Sequence, residues 1–483
     1  MAIIIGPPIS GSKAALMTDD QWVGAMTKYD GSTDQFRGGH VELSRLLSDL
    51  TRRDRARFAK LFLKLPESVD PIYFSAILDG LGSYTANLVG DAKEADDREL
   101  LLFPIEQLEQ VIHRAHSLPT RPSGLAISHL IEPLADRELD SATLDALAYY
   151  ATKDDDPETD IWKDKSLNYY GGSPFDHGIN TVRGRATLAI GHLLFARQEY
   201  WDHFRLAIEK VVFDPVISVR VCAIAALMPI LNWDQYEALR LFNECCKGIE
   251  DIWGTRPFED FVHYAIGTKY LELREILLAA LASTNEEAVK SVASQITLFD
   301  LANGSLSTEA ELIRSGNEWM RQAACQVYAL NIGHSEVGDR CEERIVRFFE
   351  DESDTIRDQI GVAFLKINGE RLRQLESMIL RYIDSRSFES DPDELLRVLV
   401  DSRAELPNVI VRAAERILTI IGNKGSDVQF RESSTANSVA TLIVRQYAQT
   451  NDKVLKRQCL VLIDEMERLN YMGISDELER IDR

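Results

Sequence analysis

The stretch INTVRGRATLAIGHLL, residues 179–194, decides the fold together with its counterpart DPVISVRVCAIAALMPIL, residues 214–231. Each contains an acidic or amide turn residue, an aliphatic residue and an arginine, followed by small residues that lead into an apolar helical run. Arg183 and Arg220 occupy the same point of this pattern. A pattern that returns with the same order of residue types indicates a repeated structural unit.

Further copies of this pattern follow along the chain. Their basic positions, from residue 183 to residue 357, are separated by about 35 residues or about twice that interval. The segment around residues 258–266 fits as a degenerate copy. The remaining copies surround Lys290, Arg321, Arg357, Arg412 and Lys456.

Helical periodicity dominates the chain from about residue 40 onward. In VELSRLLSDL, residues 41–50, four leucines fall on one helical stripe, and strand-like alternation is almost absent. The sequence therefore predicts an all-α fold, with an irregular bundle containing chance Val-Arg pairs as the alternative. The predicted regions are an extended leader (1–20), an irregular N-terminal helical module (21–150), a long aromatic and acidic loop (151–180) and a repeat array (181–483).

The repeats resemble the HEAT family. Val182-Arg183, Val219-Arg220 and Ile356-Arg357 each stand just inside a predicted second helix and precede small residues. The resemblance implies pairs of antiparallel helices that stack into an armadillo-like alpha solenoid, an αα superhelix. Such a pair cannot bury its apolar face alone, so each unit needs its neighbours. We expect Arg183, Arg220, Arg321 and Arg357 to hold turns of neighbouring repeats together.

A second resemblance rests on the order of four segments, which lie at residues 19–31, 36–47, 63–81 and 177–186. They are DDQWVGAMTKYDG, FRGGHVELSRLL, LKLPESVDPIYFSAILDGL and HGINTVRGRA. This order is similar to the C-terminal helical sensor region of bacterial NACHT/STAND-type antiphage NTPases. The resemblance implies a sensor or adaptor element in antiviral defence.

The composition limits the partners that the chain can have. It has 483 residues, 54 Lys and Arg against 77 Asp and Glu, and a formal net charge of −23, which disfavours nucleic acid and anionic membranes. No apolar run reaches the roughly 18 residues of a membrane-spanning helix. Six cysteines provide no disulfide framework, so we expect a cytoplasmic, reduced protein.

No group of residues has the pattern of a catalytic site. We find no nucleophile elbow, no HExxH and no activated cysteine, and we therefore expect no enzyme, no catalytic residue and no cofactor. The segment AIIIGPPISGSKAAL, residues 2–16, approximates a phosphate loop, but Ser12 takes the lysine position and Lys13 is displaced by one. A nucleotide hydrolase that uses these glycines is a third hypothesis.

Two histidines have a spacing that could hold a metal. His113 and His116 lie on one predicted helix, one turn after Glu109. No fourth ligand is indicated, and we interpret the pair as ordinary histidines near a helix end. We therefore assign no metal.

The long loop at residues 151–180 carries our main candidates for partner binding. It is too long for a helix–helix turn, and it joins an acidic run to Trp162, Tyr169 and Tyr170, which look exposed. Aromatic residues on a long loop are typical of recognition anchors. The alternative is a loop that folds back so that its aromatic residues close a local core.

A basic segment provides the second set of candidates. Residues 37–64 contain eight basic and three acidic residues, and their centre includes Arg52, Arg53, Arg55 and Arg57. Such a patch could contact an acidic partner. It could also be the solvated face of an amphipathic helix, or it could pair with the acidic stretch at residues 91–99.

These observations favour a non-enzymatic scaffold that binds a protein partner through its repeat surface. The alternative is a nucleic-acid-binding HEAT protein similar to the HEAT-like DNA glycosylases, which would require a continuous strip of free basic residues. The sequence predicts neither the partner nor the oligomeric state.

Overall fold

The structure is a computed structural model. It describes residues 6–31, 38–82, 100–164, 166, 169–367, 369–402, 405–424 and 431–468. All regular secondary structure in these ranges is helical, which confirms the predicted fold class. The chain divides into two compact units, Met1–Ala279 and Ala280–Arg483.

The first unit contains the helices α1 to α14. They are α1 (Gly11–Ala14), α2 (Asp19–Lys28), α3 (His40–Arg53), α4 (Arg55–Lys64), α5 (Pro71–Leu81), α6 (Ile105–His116), α7 (Gly124–Ile131), α8 (Ser141–Lys153), α9 (Pro174–Gly178), α10 (Val182–Ala196), α11 (Trp201–Val212), α12 (Ile217–Leu227), α13 (Gln235–Cys246) and α14 (Arg256–Leu281). The last two residues of α14 fall in the second unit.

The helices of the first unit stack in two rows. In one row α3, α5, α7, α10 and α12 pack successively on each other, and in the other α4, α6, α8, α11 and α13 do so. Helices of the two rows alternate along the chain, so the unit is a stack of helix pairs, as in a HEAT-like solenoid. This stacking also covers residues 40–153, where we expect an irregular module.

The second unit contains the helices α15 to α26. They are α15 (Glu286–Asn303), α16 (Ser307–Arg314), α17 (Glu318–Asn331), α18 (Gly338–Ile345), α19 (Asp354–Phe364), α20 (Gly369–Gln374), α21 (Glu376–Ile383), α22 (Arg386–Ser390), α23 (Asp393–Ser402), α24 (Pro407–Lys424), α25 (Arg431–Gln449) and α26 (Lys453–Arg468). Helices α15, α17, α19, α23 and α25 pack successively on each other, and so do α21, α24 and α26. The second unit is therefore also built from stacked helix pairs.

The turn residues of the repeat pattern begin the helices. Thr181 caps α10 by accepting a hydrogen bond from the backbone N–H of Gly184 at 3.3 Å. Asn317 caps α17 by accepting from the N–H of Met320 at 3.0 Å. These side chains satisfy backbone donors that the first helical turn leaves free.

Small residues allow the helices of one row to approach closely. At Gly191 of α10, an added Cβ would lie 2.8 Å from the Cα of Ala226 in α12. Ala186 and Ala189 of the first repeat copy and Ala223 and Ala226 of the second are fully buried. A larger side chain at this crossing would push the two helices apart.

The N-terminal residues include two helices. Residues 1–20, for which we expect an extended leader, contain the single helical turn α1. Helix α2 begins at Asp19 after a capping box, in which Thr18 accepts from the N–H of Gln21 at 3.3 Å and its own N–H donates to Gln21 Oε1 at 2.9 Å.

Candidate functional site

Two repeat arginines bind an aspartate in the turn of the next helix pair. Arg183 donates from Nε and Nη2 to the two carboxylate oxygens of Asp214, at 2.9 and 3.1 Å. Arg321 makes the same pair of bonds to Asp351, at 2.8 and 3.0 Å. The Asp214 and Asp351 side chains are 9% and 7% exposed. Two parallel bonds to a buried carboxylate form a strong link between neighbouring helix pairs.

The same aspartates are also bound within their own turns. Asp214 accepts from the N–H of Val216 at 2.9 Å, and Asp351 accepts from the N–H of Ser353 at 2.9 Å. An arginine six residues later donates to the aspartate carbonyl: Arg220 to Asp214 O at 2.6 Å, and Arg357 to Asp351 O at 2.5 Å. Arg183, Arg220, Arg321 and Arg357 of the sequence pattern are thus placed at turns, where each donates hydrogen bonds within the chain.

The electrostatic consequence is clear at Asp351. Burial alone would raise the pKa of this carboxyl, but the bonds from Arg321 and from the Ser353 N–H hold its pKa below the ordinary value. The Asp351 carboxyl is therefore ionised at neutral pH, and the guanidinium of Arg321 balances its charge.

A third turn of this kind lies at Asp154, where the long loop begins. Asp154 Oδ1 accepts from the N–H of Asp156 at 3.0 Å, and Asp154 O accepts from Arg183 Nη1 at 2.8 Å. Both bonds repeat those at Asp214 and Asp351. In the part of the chain that the structure describes, however, no arginine or lysine forms an ion pair with the Asp154 carboxylate.

The loop is an insertion into this turn. Asp156 O accepts from the N–H of Arg183 at 3.0 Å, and Asp156 Oδ2 accepts from the N–H of Val182 at 2.7 Å. These bonds join the two ends of the inserted segment, which we define as residues 157–181. The chain thus leaves the turn after Asp156 and returns to it at the start of α10.

The inserted segment runs across the neighbouring turns of the first unit. Asp160 accepts from the N–H groups of Ile217 and Ser218, at 3.0 and 3.1 Å, and so caps α12. Beyond it, Lys163 Nζ lies 3.3 Å from Asp251 Oδ2. Helix α9 packs on α12, where an added Cβ at Gly178 would lie only 2.5 Å from Ser218 O. The segment therefore lies against the turns rather than projecting freely.

The three predicted aromatic anchors have different environments. Trp162 is 9% exposed and donates from Nε1 to Asp160 at 2.8 Å, so it is not exposed as we expected and supports the inserted segment instead. Tyr169 and Tyr170 are 50% and 36% exposed, and the Tyr170 ring lies 5.4 Å from the ring of His177. The structure thus leaves two aromatic residues available to a partner.

A cavity of about 620 Å³ opens beside the Asp154 turn. Asp154, Asp155, Asp156 and Glu158 line it on one side, together with Val182 at the start of α10. Its cationic lining comes from Arg121 and Lys153. The volume is in the range of ligand pockets, and the acidic residues outnumber the basic ones.

Arg121 is held in one place in this cavity. Its guanidinium carbon lies 4.3 Å from the centroid of the Tyr149 ring, and its Nε donates to His116 O at 3.1 Å. Lys153 Nζ lies 5.8 Å from the centroid of the same ring. The backbone φ angle of Arg121 is 44°, which is unfavourable for residues other than glycine.

The predicted basic patch is only partly exposed. Arg55 is 6% exposed and donates from Nε to Leu81 O at 3.2 Å, so it is not available to a partner in this structure. Arg57 binds Asp19 at 3.1 Å and also donates to Met17 O. Arg52 lies 3.5 Å from Asp49, whereas Arg53 is exposed. The acidic stretch at residues 91–99 lies outside the described residues.

The other sequence candidates do not assemble into a site. His113 Nε2 lies 3.2 Å from Asp140 Oδ1, while Glu109 accepts from the N–H of Asp140 at 2.6 Å, so these side chains brace the start of α8. His116 instead packs edge-on against the rings of Tyr149 and Tyr150. Within the described ranges, no three His, Cys, Asp or Glu residues could hold a metal ion. Lys13 lies in α1 and is exposed.

The sequence reasoning missed the residues that form the cavity. Arg121 and Tyr149 carry no motif, and Asp154 was grouped with an acidic run. One signal was available in the turns themselves. At Asp214, Asp351 and Asp154 the aspartate side chain accepts the backbone N–H of the residue two positions later. The insertion separates that third copy from its arginine.

Comparison with known proteins identifies no family. No protein-family model and no curated protein matches the chain. Among the helices that the structure describes, none is both long and apolar enough to cross a membrane.

Solved structures show a distant likeness to importin-β. Kap95p from a study of its binding to RanGDP has a TM-score of 0.43 and 14% identity, with 96% of this chain and 66% of that chain covered. Yeast importin-β (Kap95p) has a TM-score of 0.38 and 14% identity, covering 94% and 68%. The Kap95:Nup1 complex has a TM-score of 0.37 and 14% identity, covering 95% and 62%. The chain thus spans about two thirds of these structures, and its solenoid assignment rests on the packing of its own helices.

Proposed function

We propose that this protein is a non-enzymatic scaffold that binds a protein partner at the inserted segment of its first unit. The site comprises Tyr169 and Tyr170, which are exposed, and the cavity beside Asp154. Half-exposed tyrosines on a braced segment are suitable anchors, because they bury much apolar surface at little cost in side-chain entropy.

One observation carries this proposal. Among the residues that the structure describes, the two non-glycine residues with positive φ both belong to this site: Arg121 at 44° and Tyr170 at 54°. Each conformation costs roughly 1 kcal/mol or more, and such strain concentrates at functional sites. Arg121 lines the cavity, and Tyr170 lies on the inserted segment that forms part of its wall.

The repeat arginines do not support the nucleic-acid alternative. Arg183 and Arg321 are engaged by Asp214 and Asp351, and a cation that is already paired contributes little to binding phosphate. A role as a sensor or adaptor in bacterial antiphage defence stays a prediction from the resemblance. Loss of protection against phage on deletion of the gene would support that role, and unchanged protection would contradict it.

Site-specific photocrosslinking tests the proposed binding site. A benzophenone side chain would replace Tyr169 in the full chain, expressed in the cells that naturally produce it. The matched control carries the benzophenone at Tyr236, which lies in α13 of the same unit and is 73% exposed. We expect a defined protein to crosslink from position 169 and not from position 236.

The captured protein would then be purified and its binding measured directly. We expect the Tyr169→Ala, Tyr170→Ala double variant to bind it at least tenfold more weakly, because central aromatic contacts contribute about 2 kcal/mol or more each. The proposal fails if no protein crosslinks from position 169, or if the double variant binds as tightly as the unmodified chain.

A further inference from the structure

The three homologous turns differ in one bond set. At Asp214 and at Asp351 the carboxylate receives two parallel N–H bonds from an arginine of the preceding helix pair. Asp154 likewise accepts the backbone N–H of the residue two positions later. Its carbonyl also accepts from an arginine, which here is Arg183. Asp154 lines the cavity, and within the described residues no arginine forms an ion pair with its carboxylate.

The two cations that line the cavity, Arg121 and Lys153, both lie over the Tyr149 ring. Arg121 stacks on the Tyr149 ring, and its Nε donates to His116 O. Lys153 is exposed, and its Nζ lies 5.8 Å from the centroid of the same ring. The lining contains these two cations and four carboxylates, so negative charge is in excess there. A positively charged group therefore fits the remaining space.

A buried hydroxyl beside the cavity also lacks a partner. Tyr150 is fully buried, and its hydroxyl makes no hydrogen bond within the described residues. It lies close enough to Arg121 and Asp154 for both charges to act on it. Gly124 in the cavity wall contacts this ring, since an added Cβ there would lie 2.6 Å from Tyr150 Cδ1. Tyr150 does not line the cavity itself, so its buried ring supports the cavity wall at Gly124.

We propose that the Asp154 cavity receives an arginine side chain of the bound protein partner, which completes the third arginine–aspartate turn. The inference rests on the proposed function, since it names the chemistry by which the same site reads its partner. Arginine is favoured over lysine because its planar guanidinium donates two parallel bonds to one carboxylate, as Arg183 and Arg321 do.

Short peptides test the guanidinium site without any knowledge of the partner. The probe is Ac-Gly-Arg-Gly-NH2, and the citrulline and lysine peptides of the same length serve as comparisons. Binding would be followed in the full chain through the methyl signals of labelled valines, because Val182 lines the cavity. We expect the arginine peptide to shift the Val182 signals with a dissociation constant of about 1–10 mM, and the other two peptides to bind at least fivefold more weakly.

Two substitutions that each remove one negative charge distinguish binding at Asp154 from a general attraction of the peptide to an acidic surface. Asp154→Asn keeps the acceptor for the Asp156 N–H but removes the carboxylate, and it should weaken the arginine peptide at least fivefold. Asp202→Asn removes the same charge from an exposed residue outside the cavity and should weaken it less than twofold. Equal binding of the arginine and citrulline peptides, or equal effects of the two variants, would overturn the inference.

The two proposals can fail separately. If the captured partner binds through Tyr169 and Tyr170 but the arginine peptide leaves Val182 unchanged, the guanidinium site is wrong and the partner-binding function stands. If the peptide binds at Asp154 but no protein crosslinks from position 169, the proposed function is wrong, and the assignment of that arginine to a partner falls with it.

Discussion

The turns at Asp154 and Asp351 are built from the same parts, but the pKa values of their aspartates are shifted in opposite directions. Both aspartates accept a backbone N–H two residues later and receive an arginine on their carbonyl. Asp351 also binds Arg321 through its carboxylate, and that bond helps to hold its pKa below the ordinary value. Burial, together with the carboxylates of Asp156 and Asp155, raises the pKa of Asp154.

The difference separates a structural turn from a candidate binding turn. A buried carboxylate with a bidentate arginine is saturated and links two helix pairs. A carboxylate that lacks this cation is less stable in its ionised form and gains most from a new one. The insertion at residues 157–181 follows the turn that lacks this bidentate link. The aspartate of that turn, Asp154, lines the cavity instead.

The largest expected effect comes from breaking a completed turn. Arg183→Met leaves the buried Asp214 carboxylate without its cation and also removes the bond to Asp154 O. We expect the free energy of unfolding to fall by about 3–5 kcal/mol, because an unpaired buried charge is costly. Urea unfolding of the full chain, with hydrogen exchange at residues 214–218 as the local readout, measures this loss.

A second substitution provides the control for that variant. Adding Asp214→Asn to Arg183→Met removes the stranded charge and should restore about half of the lost stability. A loss below about 1 kcal/mol for Arg183→Met alone would show that the pair does not link the two turns.

The same substitution at the two contrasting turns should have opposite signs. At pH 7 we expect Asp351→Asn to cost about 2 kcal/mol, because it removes an ionised partner of Arg321. Asp154→Asn should be neutral or stabilise by less than about 1 kcal/mol, because it removes a carboxylate that makes no ion pair and whose pKa is raised by burial. Thermal unfolding of the two variants beside the unmodified chain compares them directly.

The pH dependence of the two variants should differ in direction. A lowered pKa at Asp351 means that its contribution is present above the unfolded pKa, near 4, and is lost as the pH falls through the folded value. A raised pKa at Asp154 means that the folded chain holds its proton more tightly, so its contribution declines as the pH rises above about 4. Parallel pH profiles for both variants would contradict the comparison.

The sequence was sufficient to predict helical repeats for a physical reason. The aliphatic-Arg pairs Val182-Arg183, Val219-Arg220 and Ile356-Arg357 recur because each helix pair needs the same cap, the same inward aliphatic residue and close-packing small residues. These requirements act within a few residues, so they can be read from a short stretch.

The candidate site depends on contacts that no short stretch contains. Trp162 is buried because Asp160 binds the start of α12, more than fifty residues later. The state of Asp154 depends on whether an arginine of another helix pair reaches it, and the insertion hides the turn that it shares with Asp214 and Asp351. A prediction from local pattern therefore located the segment but assigned the wrong exposure to its tryptophan.

A smaller effect is expected where the inserted segment caps α12. Asp160→Ala removes the acceptor for the N–H groups of Ile217 and Ser218 and for Trp162 Nε1. The loss should be about 1–2 kcal/mol, the range of a helix cap. Amide exchange at residues 217–218 should accelerate accordingly. Asp155→Ala, which removes an exposed charge just before the inserted segment, should leave that exchange unchanged; equal acceleration in both would refute the cap.

The smallest effect concerns the strained tyrosine of the site. Tyr170 has a φ of 54°, whereas Tyr169 beside it does not have a positive φ. Tyr170→Gly relieves about 1 kcal/mol of backbone strain, while Tyr169→Gly only adds about 0.5–1 kcal/mol of entropy cost. Each variant also removes a ring, and the Tyr170 ring has the closer contact, with His177, so a difference of about 1–2 kcal/mol in favour of Tyr170→Gly comes from the backbone and not from the lost ring. Amide exchange in the inserted segment reports it, and a Tyr170→Gly variant no more protected than Tyr169→Gly would remove the evidence for strain.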